Sequence, residues 1–135
     1  MHSIHIKRKG EITMAVRAIR GATTASENTR EAIIEATLEL IAEIEEKNDL
    51  KRADAISIIF TMTSDLTAVF PAAAAREFGL TFVPLLDMAA PNIDGSLEKC
   101  IRIMIHINTD KTKEEINHVY LRGAKVLRPD LIEEK

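Results

Sequence analysis

The sequence predicts a single mixed α/β domain in which one β-sheet carries helices on one face. Its 135 residues fit one domain and are enough to bury a substantial core. Short β-branched runs alternate with segments whose apolar residues recur at helical spacing. In chain order these segments read strand, helix, strand, helix, strand, strand, helix, strand, and that order is typical of a mixed sheet rather than a helical bundle.

The first predicted elements are a strand over residues 16–20, a turn over residues 21–24 and a long helix. Asn28 followed three residues later by Glu31 is a capping-box arrangement, which predicts the helix start. Isoleucines and leucines at helical spacing continue the helix to about Asn48.

The middle of the chain predicts two strands around a short helix. The β-branched run 55–62 reads as a buried strand, and Pro71 opens a short helix over residues 71–78. Residues 81–86 read as the next strand. The following segment, 87–96, is rich in turn residues and reads as a loop, and residues 97–100 read as a turn of helix.

The clearest strand of the sequence is 101–108, where isoleucines alternate with other residues. One face of it must be a core face, so Arg102 points to the other. Thr112 begins a second capping box, which predicts a helix to about Leu121. Residues 125–127 read as a last short strand. The polar and basic residues 1–13 are expected to be a disordered extension ahead of a domain that spans residues 14–135.

Composition excludes several classes of function. Lys and Arg number 18 against 21 Asp and Glu, so no basic excess favours nucleic-acid binding. No apolar run is long enough to cross a membrane. The single cysteine, Cys100, cannot form an intrachain disulfide, which favours a reducing compartment and hence the cytoplasm. The scattered histidines form no metal-ligand spacing, and no metal or cofactor is predicted.

Arginine is the residue type that remains to carry chemistry. Arg20 ends a predicted strand, Arg76 lies on the short helix and Arg128 begins the tail. The planar guanidinium suits carboxylates because it donates paired, charged hydrogen bonds. Arg102 is the most informative, because an arginine within an isoleucine-rich strand requires a counter-charge or a wet pocket.

Five segments resemble the monofunctional AroH-class chorismate mutases. They are residues 19–24 (IRGATT), 65–71 (DLTAVFP), 99–102 (KCIR), 118–121 (HVYL) and 126–131 (VLRPDL). Each segment alone is weak evidence. All five occur in the family's order, with spacing close to the family's, over nearly the whole chain, and together they are specific.

The resemblance implies a homotrimer with a pseudo-α/β-barrel appearance and active sites in the clefts between subunits. It implies the rearrangement of chorismate to prephenate, in phenylalanine and tyrosine biosynthesis, without a cofactor. It also implies the substrate-binding residues, which are Arg20, Phe70, Arg76, Arg102, Tyr120, Leu127 and Arg128. In this interpretation Arg102 stabilises charge on the breaking ether oxygen and Arg20 binds a carboxylate.

Two positions depart from the family pattern. Ala90 stands where the family has a glutamate that contacts the ring-hydroxyl side of the substrate, and Asp87 stands where a cysteine is common. We interpret Asp87 as a third catalytic residue that takes over the role of the glutamate. The alternative is that Asp87 only caps a loop.

Two other functions are compatible with the residues alone. One is an imine or enamine deaminase of the Rid type, which also uses an interfacial arginine on a similar trimeric fold. The other is a non-catalytic trimer that binds a small carboxylate, which the alanine at position 90 favours.

Overall fold

The computed structural model describes residues 14–128. The proposed extension 1–13 and the tail 129–135 lie outside the described residues. The strands are β1 (Ala15–Thr24), β2 (Ala55–Met62), β3 (Leu85–Ala89), β4 (Cys100–Thr109) and β5 (Val119–Tyr120). The helices are α1 (Arg30–Asn48) and α2 (Pro71–Glu77), and 3-10 turns cover Arg52–Asp54, Lys113–Glu115 and Arg122–Leu127. No helix in the described range is long and apolar enough to cross a membrane.

The five strands form one mixed sheet in the order β3-β2-β4-β1-β5. The central strand β4 is antiparallel to both of its neighbours, β1 and β2. The two edge strands are each parallel to the strand that they pair with. The predicted single mixed sheet is therefore confirmed.

Both helices pack on the same face of the sheet. The isoleucines of β4 point to this face, where Ile103 and Ile105 join Leu40 and Ile44 of α1 in the main core cluster. Small residues of α2, such as Ala75, complete the layer. Because side chains alternate along a strand, the other residues of β4 lie on the opposite face, which no helix covers in residues 14–128.

The uncovered face of the sheet keeps large apolar side chains in solvent. Val16 of β1 is 58% exposed, and Leu86 and Met88 of β3 are 55% and 50% exposed. Several large apolar side chains left in solvent on one sheet face indicate an interaction surface.

Helix α1 begins one residue later than the sequence predicts. Its N-cap is Thr29, whose hydroxyl accepts a hydrogen bond from the Ala32 amide at 3.1 Å. Asn28 instead ties the helix start to the segment before α2, because its side-chain oxygen accepts from the amides of Thr67 and Ala68 at 2.9 and 3.1 Å. The predicted helix end at Asn48 is confirmed, and Asp49 follows it in the left-handed conformation.

The predicted turn over residues 21–24 is wrong, because β1 runs through it. Pairing with β4 is continuous from Ala15, opposite Thr109, to Thr24, opposite Cys100. The glycine and threonines of this segment indicate a turn when read locally, but ten residues of ladder pairing outweigh that preference.

Four further predictions in the second half of the chain are wrong. Strand β3 covers Leu85–Ala89 rather than 81–86, so Asp87 lies in a strand and not in a loop. Residues 97–100 form no helical turn, and 122–127 form a 3-10 turn rather than a strand. The capping box at Thr112 is present, yet its helix stops after Glu115, because the chain then pairs with β1 as β5.

Candidate active site

Arg20 and Arg102 lie on the uncovered face of two neighbouring strands. Arg102 is directly opposite Ala22 in the β1–β4 register, so Arg20, two residues earlier, is its diagonal neighbour. Diagonal pairs on antiparallel strands are about 7–8 Å apart, within reach of long side chains. Both guanidinium groups are exposed and can reach one small ligand.

These two arginines border a cavity of about 430 Å³, which we call the arginine cavity. The predicted residues Tyr120, Leu127 and Arg128 also line it, so the structure brings five of the predicted site residues together. Its remaining walls are Gly21, Ala22, Ile59, Thr61, Ala90, Pro91, Ile103 and Met104. Among residues 14–128, no aspartate or glutamate lines it.

The electrostatics of the arginine cavity favour an anionic ligand. In residues 14–128 neither Arg20 nor Arg102 is in an ion pair. The hydroxyl of Tyr120 is buried and has no hydrogen-bond partner within the described part of the chain. A buried hydroxyl without a partner costs about 1–3 kcal/mol, and a ligand carboxylate would satisfy it.

Backbone contacts with the β5 segment hold the Arg20 end of the cavity in place. The Arg20 amide donates to Nδ1 of His118 at 2.9 Å, and the Leu121 amide donates to the carbonyl of Ala22 at 2.9 Å. The short strand β5 pairs with β1 between these two contacts, which places Tyr120 beside Ala22. The segment that carries Tyr120 is thereby fixed relative to Arg20.

Phe70, Arg76 and Asp87 lie around the short helix α2 and do not line the arginine cavity. Asp87 Oδ1 accepts a hydrogen bond from the Ala72 amide at 3.0 Å. Burial raises the pKa of the Asp87 carboxyl, while the Ala72 amide and the charge of Arg76 oppose that shift. Phe70 and Asp87 border a second cavity of about 260 Å³ together with Met88. We call Phe70, Arg76 and Asp87 the α2 cluster.

Several wall residues of the arginine cavity, among them Ile59, Thr61 and Met104, were not predicted as site residues. Met104 follows Arg102 by two residues on the same strand, so the alternation that exposed Arg102 could have indicated it. Ile59 and Thr61 of β2 lie opposite Met104 and Arg102 in the β2–β4 register. Nothing in the local sequence predicts that register.

The described residues offer few groups for metal binding or for nucleophilic catalysis. Across residues 14–128, no three His, Cys, Asp or Glu side chains are grouped so that they could hold a metal ion. Cys100 is buried, and burial raises the pKa of its thiol, which disfavours a reactive thiolate.

Comparison with known proteins identifies the family. The family model described as chorismate mutase type I matches residues 16–131. The chain belongs to this family. The match covers the arginine cavity and the α2 cluster alike.

Individual relatives agree with the family assignment. Chorismate mutase AroH of Bacillus subtilis is 44% identical over 119 residues, which are 87% of this chain and 94% of the relative. Chorismate mutase AroH of Thermus thermophilus is 47% identical over 117 residues, 86% of this chain and 96% of the relative. A solved chorismate mutase from Clostridium thermocellum is 57% identical with a TM-score of 0.80, covering 82% of this chain and 98% of its own.

Family, relatives and fold therefore support one function, chorismate mutase, which is an isomerase. The deaminase and the non-catalytic binding protein, which the residues alone left open, are not favoured by any of these comparisons.

Proposed function

We propose that the arginine cavity binds chorismate and that this enzyme rearranges it to prephenate for aromatic amino acid biosynthesis. The observation that carries the proposal is the charge of the cavity. Three arginines and Tyr120 line it, and among the described residues no aspartate or glutamate does. Chorismate is a dianion, so its two carboxylates match these donors.

The rearrangement needs no nucleophile and no proton transfer. One carbon–oxygen bond breaks and one carbon–carbon bond forms in a single concerted step, so all atoms of the substrate remain in the product. The enzyme must hold the enolpyruvyl side chain over the ring, and hydrogen bonds from Arg20 and Tyr120 to the carboxylates supply that orientation.

The second requirement is electrostatic. Negative charge grows on the ether oxygen as its bond to the ring breaks. A fixed guanidinium aimed at that oxygen stabilises the transition state more than the ground state. We assign this role to Arg102, because its strand holds it rigidly and no residue of the described chain neutralises it.

We further propose that the α2 cluster completes the arginine cavity of a neighbouring subunit in a homotrimer. On a single chain the two groups do not meet. The cluster borders the uncovered face of the sheet through Met88, which is half exposed and needs a partner surface. Phe70 would then add an apolar wall and Arg76 a further cation.

Asp87 would supply a carboxylate, which the described lining of the arginine cavity does not contain. Position 90 lies in the cavity wall, but alanine there offers no charge. From the neighbouring subunit, Asp87 would accept a hydrogen bond from the ring hydroxyl and stabilise the partly positive ring. The single cysteine also leads us to propose a reducing location, the cytoplasm.

Mixing two inactive variants tests both proposals. We expect Arg102→Lys and Asp87→Asn each to lower the rate of chorismate loss, followed by its ultraviolet absorbance, by about a hundredfold or more. Trimers refolded from equal amounts of the two should regain about a quarter of wild-type activity, because each interface has two independent chances of one half to be intact.

Each unexpected result of these experiments contradicts a different proposal. Wild-type protein that leaves chorismate unchanged would contradict the proposed reaction. An active Asp87→Asn variant would exclude Asp87 from catalysis. Two inactive variants whose mixture stays inactive would place the complete site within one chain. Wild-type protein taken through the same refolding controls for losses during mixing.

A further inference from the structure

The last described turn, Arg122–Leu127, brings Leu127 and Arg128 to the arginine cavity. Apolar packing holds the later part of this turn, where Ala124 and Leu127 pack with Ala22 and Tyr120, although Val126 is 70% exposed. Polar contacts hold the start of the turn.

Arg122 makes three such contacts with two other elements. Its Nε donates to Glu39 Oε1 at 3.1 Å and its Nη2 to Glu35 Oε1 at 3.3 Å, both on helix α1. Its Nη1 donates to the carbonyl of Thr24 at the end of β1, also at 3.3 Å. One planar group thus joins the turn to the helix and the sheet, and we call this arrangement the Arg122 clamp.

The backbone indicates that the side chain of Arg122 determines this geometry. Its φ is 52°, in the left-handed region that favours glycine or asparagine. A bulky residue remains in that region where surrounding contacts over-determine it. The next residue, Gly123, donates its amide to Thr24 Oγ1 at 3.2 Å, and a Cβ added to it would lie 3.1 Å from that oxygen. The turn is therefore closely seated on the end of β1.

We propose that Arg122 is a positioning residue for the chorismate mutase reaction. Through the Arg122 clamp it sets how closely Leu127 and Arg128 approach the bound substrate. This inference rests on the proposed assignment of those two residues to the substrate site. Single exposed ion pairs contribute little, but three contacts on one rigid guanidinium restrict orientation as well as distance.

The test is the steady-state kinetics of Arg122→Asn. Asparagine tolerates the left-handed backbone, so the substitution removes the clamp with little disturbance of the turn. We expect KM to rise about five- to tenfold while kcat changes by less than about twofold, because substrate binding is weakened and the reacting atoms still meet Arg102. The double variant Glu35→Gln with Glu39→Gln should reproduce this result.

A variant on the same helix provides the control. Glu43 pairs with Lys47 within α1 at 3.7 Å and makes no contact with the clamp. Glu43→Gln removes a comparable exposed carboxylate, and we expect KM to stay at the wild-type value. Arg122→Lys, which keeps the charge but not the planar fork, should restore only part of the affinity.

Salt gives a readout that a purely structural role would not move. Exposed ion pairs are screened by salt, so raising ionic strength should weaken both the clamp and the binding of the dianion. KM of Arg122→Asn should therefore rise less steeply with salt than KM of the wild type. Parallel salt profiles for the two proteins would count against the clamp.

The variant Leu127→Ala distinguishes a failure of the positioning role of Arg122 from a failure of the assignment of Leu127 to the substrate site. If Leu127→Ala raises KM and Arg122→Asn does not, the positioning role is overturned while the site assignment stands. If Leu127→Ala leaves KM unchanged, the assignment fails and the inference fails with it. Loss of folded enzyme cannot imitate the expected result, because KM does not depend on enzyme concentration.

Discussion

The two faces of this sheet differ in how completely their side chains are satisfied. On the helix-covered face, Ile19, Phe60 and Ile103 are buried against α1 and α2. On the opposite face, Arg20 and Arg102 are exposed and have no ion-pair partner in residues 14–128. The first face forms the packed core, and the second presents two guanidinium groups that no carboxylate in residues 14–128 pairs with.

Along strand β4, alternate residues contribute to the core and to the candidate site. Ile101 and Ile103 flank Arg102 and point to the covered face, so neighbouring residues serve opposite purposes. Stability and chemistry are therefore separable along one strand. Substitutions of the β4 isoleucines should change the free energy of unfolding, and substitutions of Arg102 should change the rate.

The largest expected effect is on the rate. Arg102→Lys keeps the positive charge but loses the planar fork, so it should raise the activation free energy by about 3–4 kcal/mol. The melting temperature should stay close to that of the wild type, because the side chain is exposed. Turnover of chorismate and thermal unfolding, measured on the same preparation, check the two halves of this prediction.

Arg30→Lys is the matched control for Arg102→Lys. Arg30 is an exposed arginine paired with Glu77 at 3.2 Å, away from the arginine cavity. It should leave both the rate and the melting temperature nearly unchanged. A rate near wild type in Arg102→Lys would break the division between the two faces.

A substitution in the covered face should have the opposite outcome. A Cβ on Gly21 would lie 2.9 Å from Ile44 Cδ1 and 3.0 and 3.1 Å from methyl groups of Ile103 and Leu40. Overpacking of this kind costs about 1–3 kcal/mol of unfolding free energy. We expect Gly21→Ala to unfold at lower denaturant concentration, with a much smaller change in the rate per folded molecule.

Removing the atom that the new methyl group meets should relieve this cost. Ile44→Val deletes Cδ1 and alone should cost about 0.5–1.5 kcal/mol. Combined with Gly21→Ala, the two changes should destabilise by less than the sum of the single variants, since they share one site. Strict additivity would show that the strain has another source.

The pattern of the covered face was predictable from the sequence, and the architecture followed from it. The alternation in 101–108, the apolar stripe of α1 and Pro71 at the start of α2 each reflect local rules. The segment 21–24 shows the limit of those rules. Its glycine indicated a turn, whereas Gly21 is required because Ile44 and Leu40 leave no room for a side chain.

The site was predictable only in part, because it depends on register and on assembly. Arg20, Arg102 and Tyr120 lie on three strands; the family resemblance predicted that they act together, but local sequence rules do not predict the strand pairing that brings them to one cavity. The separation of Asp87 from that cavity also could not be predicted. It follows from the start of β3 at Leu85, four residues later than the sequence indicates, and from the contact with α2.

One buried hydroxyl on the covered face has no hydrogen-bond partner in the described residues. Its removal is the prediction with the smallest expected effect. Thr23 is fully buried, and its hydroxyl has no hydrogen-bond partner within the described range. Thr37 of α1 is equally buried, but its hydroxyl donates to the carbonyl of Ile33 at 2.7 Å. Comparing these two threonines separates the effect of burial from the effect of hydrogen bonding, since both lie in the same core layer.

Valine substitutions at positions 23 and 37 test whether the hydroxyl groups of the covered face are hydrogen-bonded. Thr23→Val removes an unsatisfied hydroxyl and should stabilise by about 1 kcal/mol, while Thr37→Val removes a satisfied one and should destabilise by about 0.5–1.5 kcal/mol. Denaturant unfolding measures both. A neutral or destabilising Thr23→Val would show that the Thr23 hydroxyl has a hydrogen-bond partner in solution. The covered face would then be satisfied in its hydrogen bonds as well as in the packing of its isoleucines.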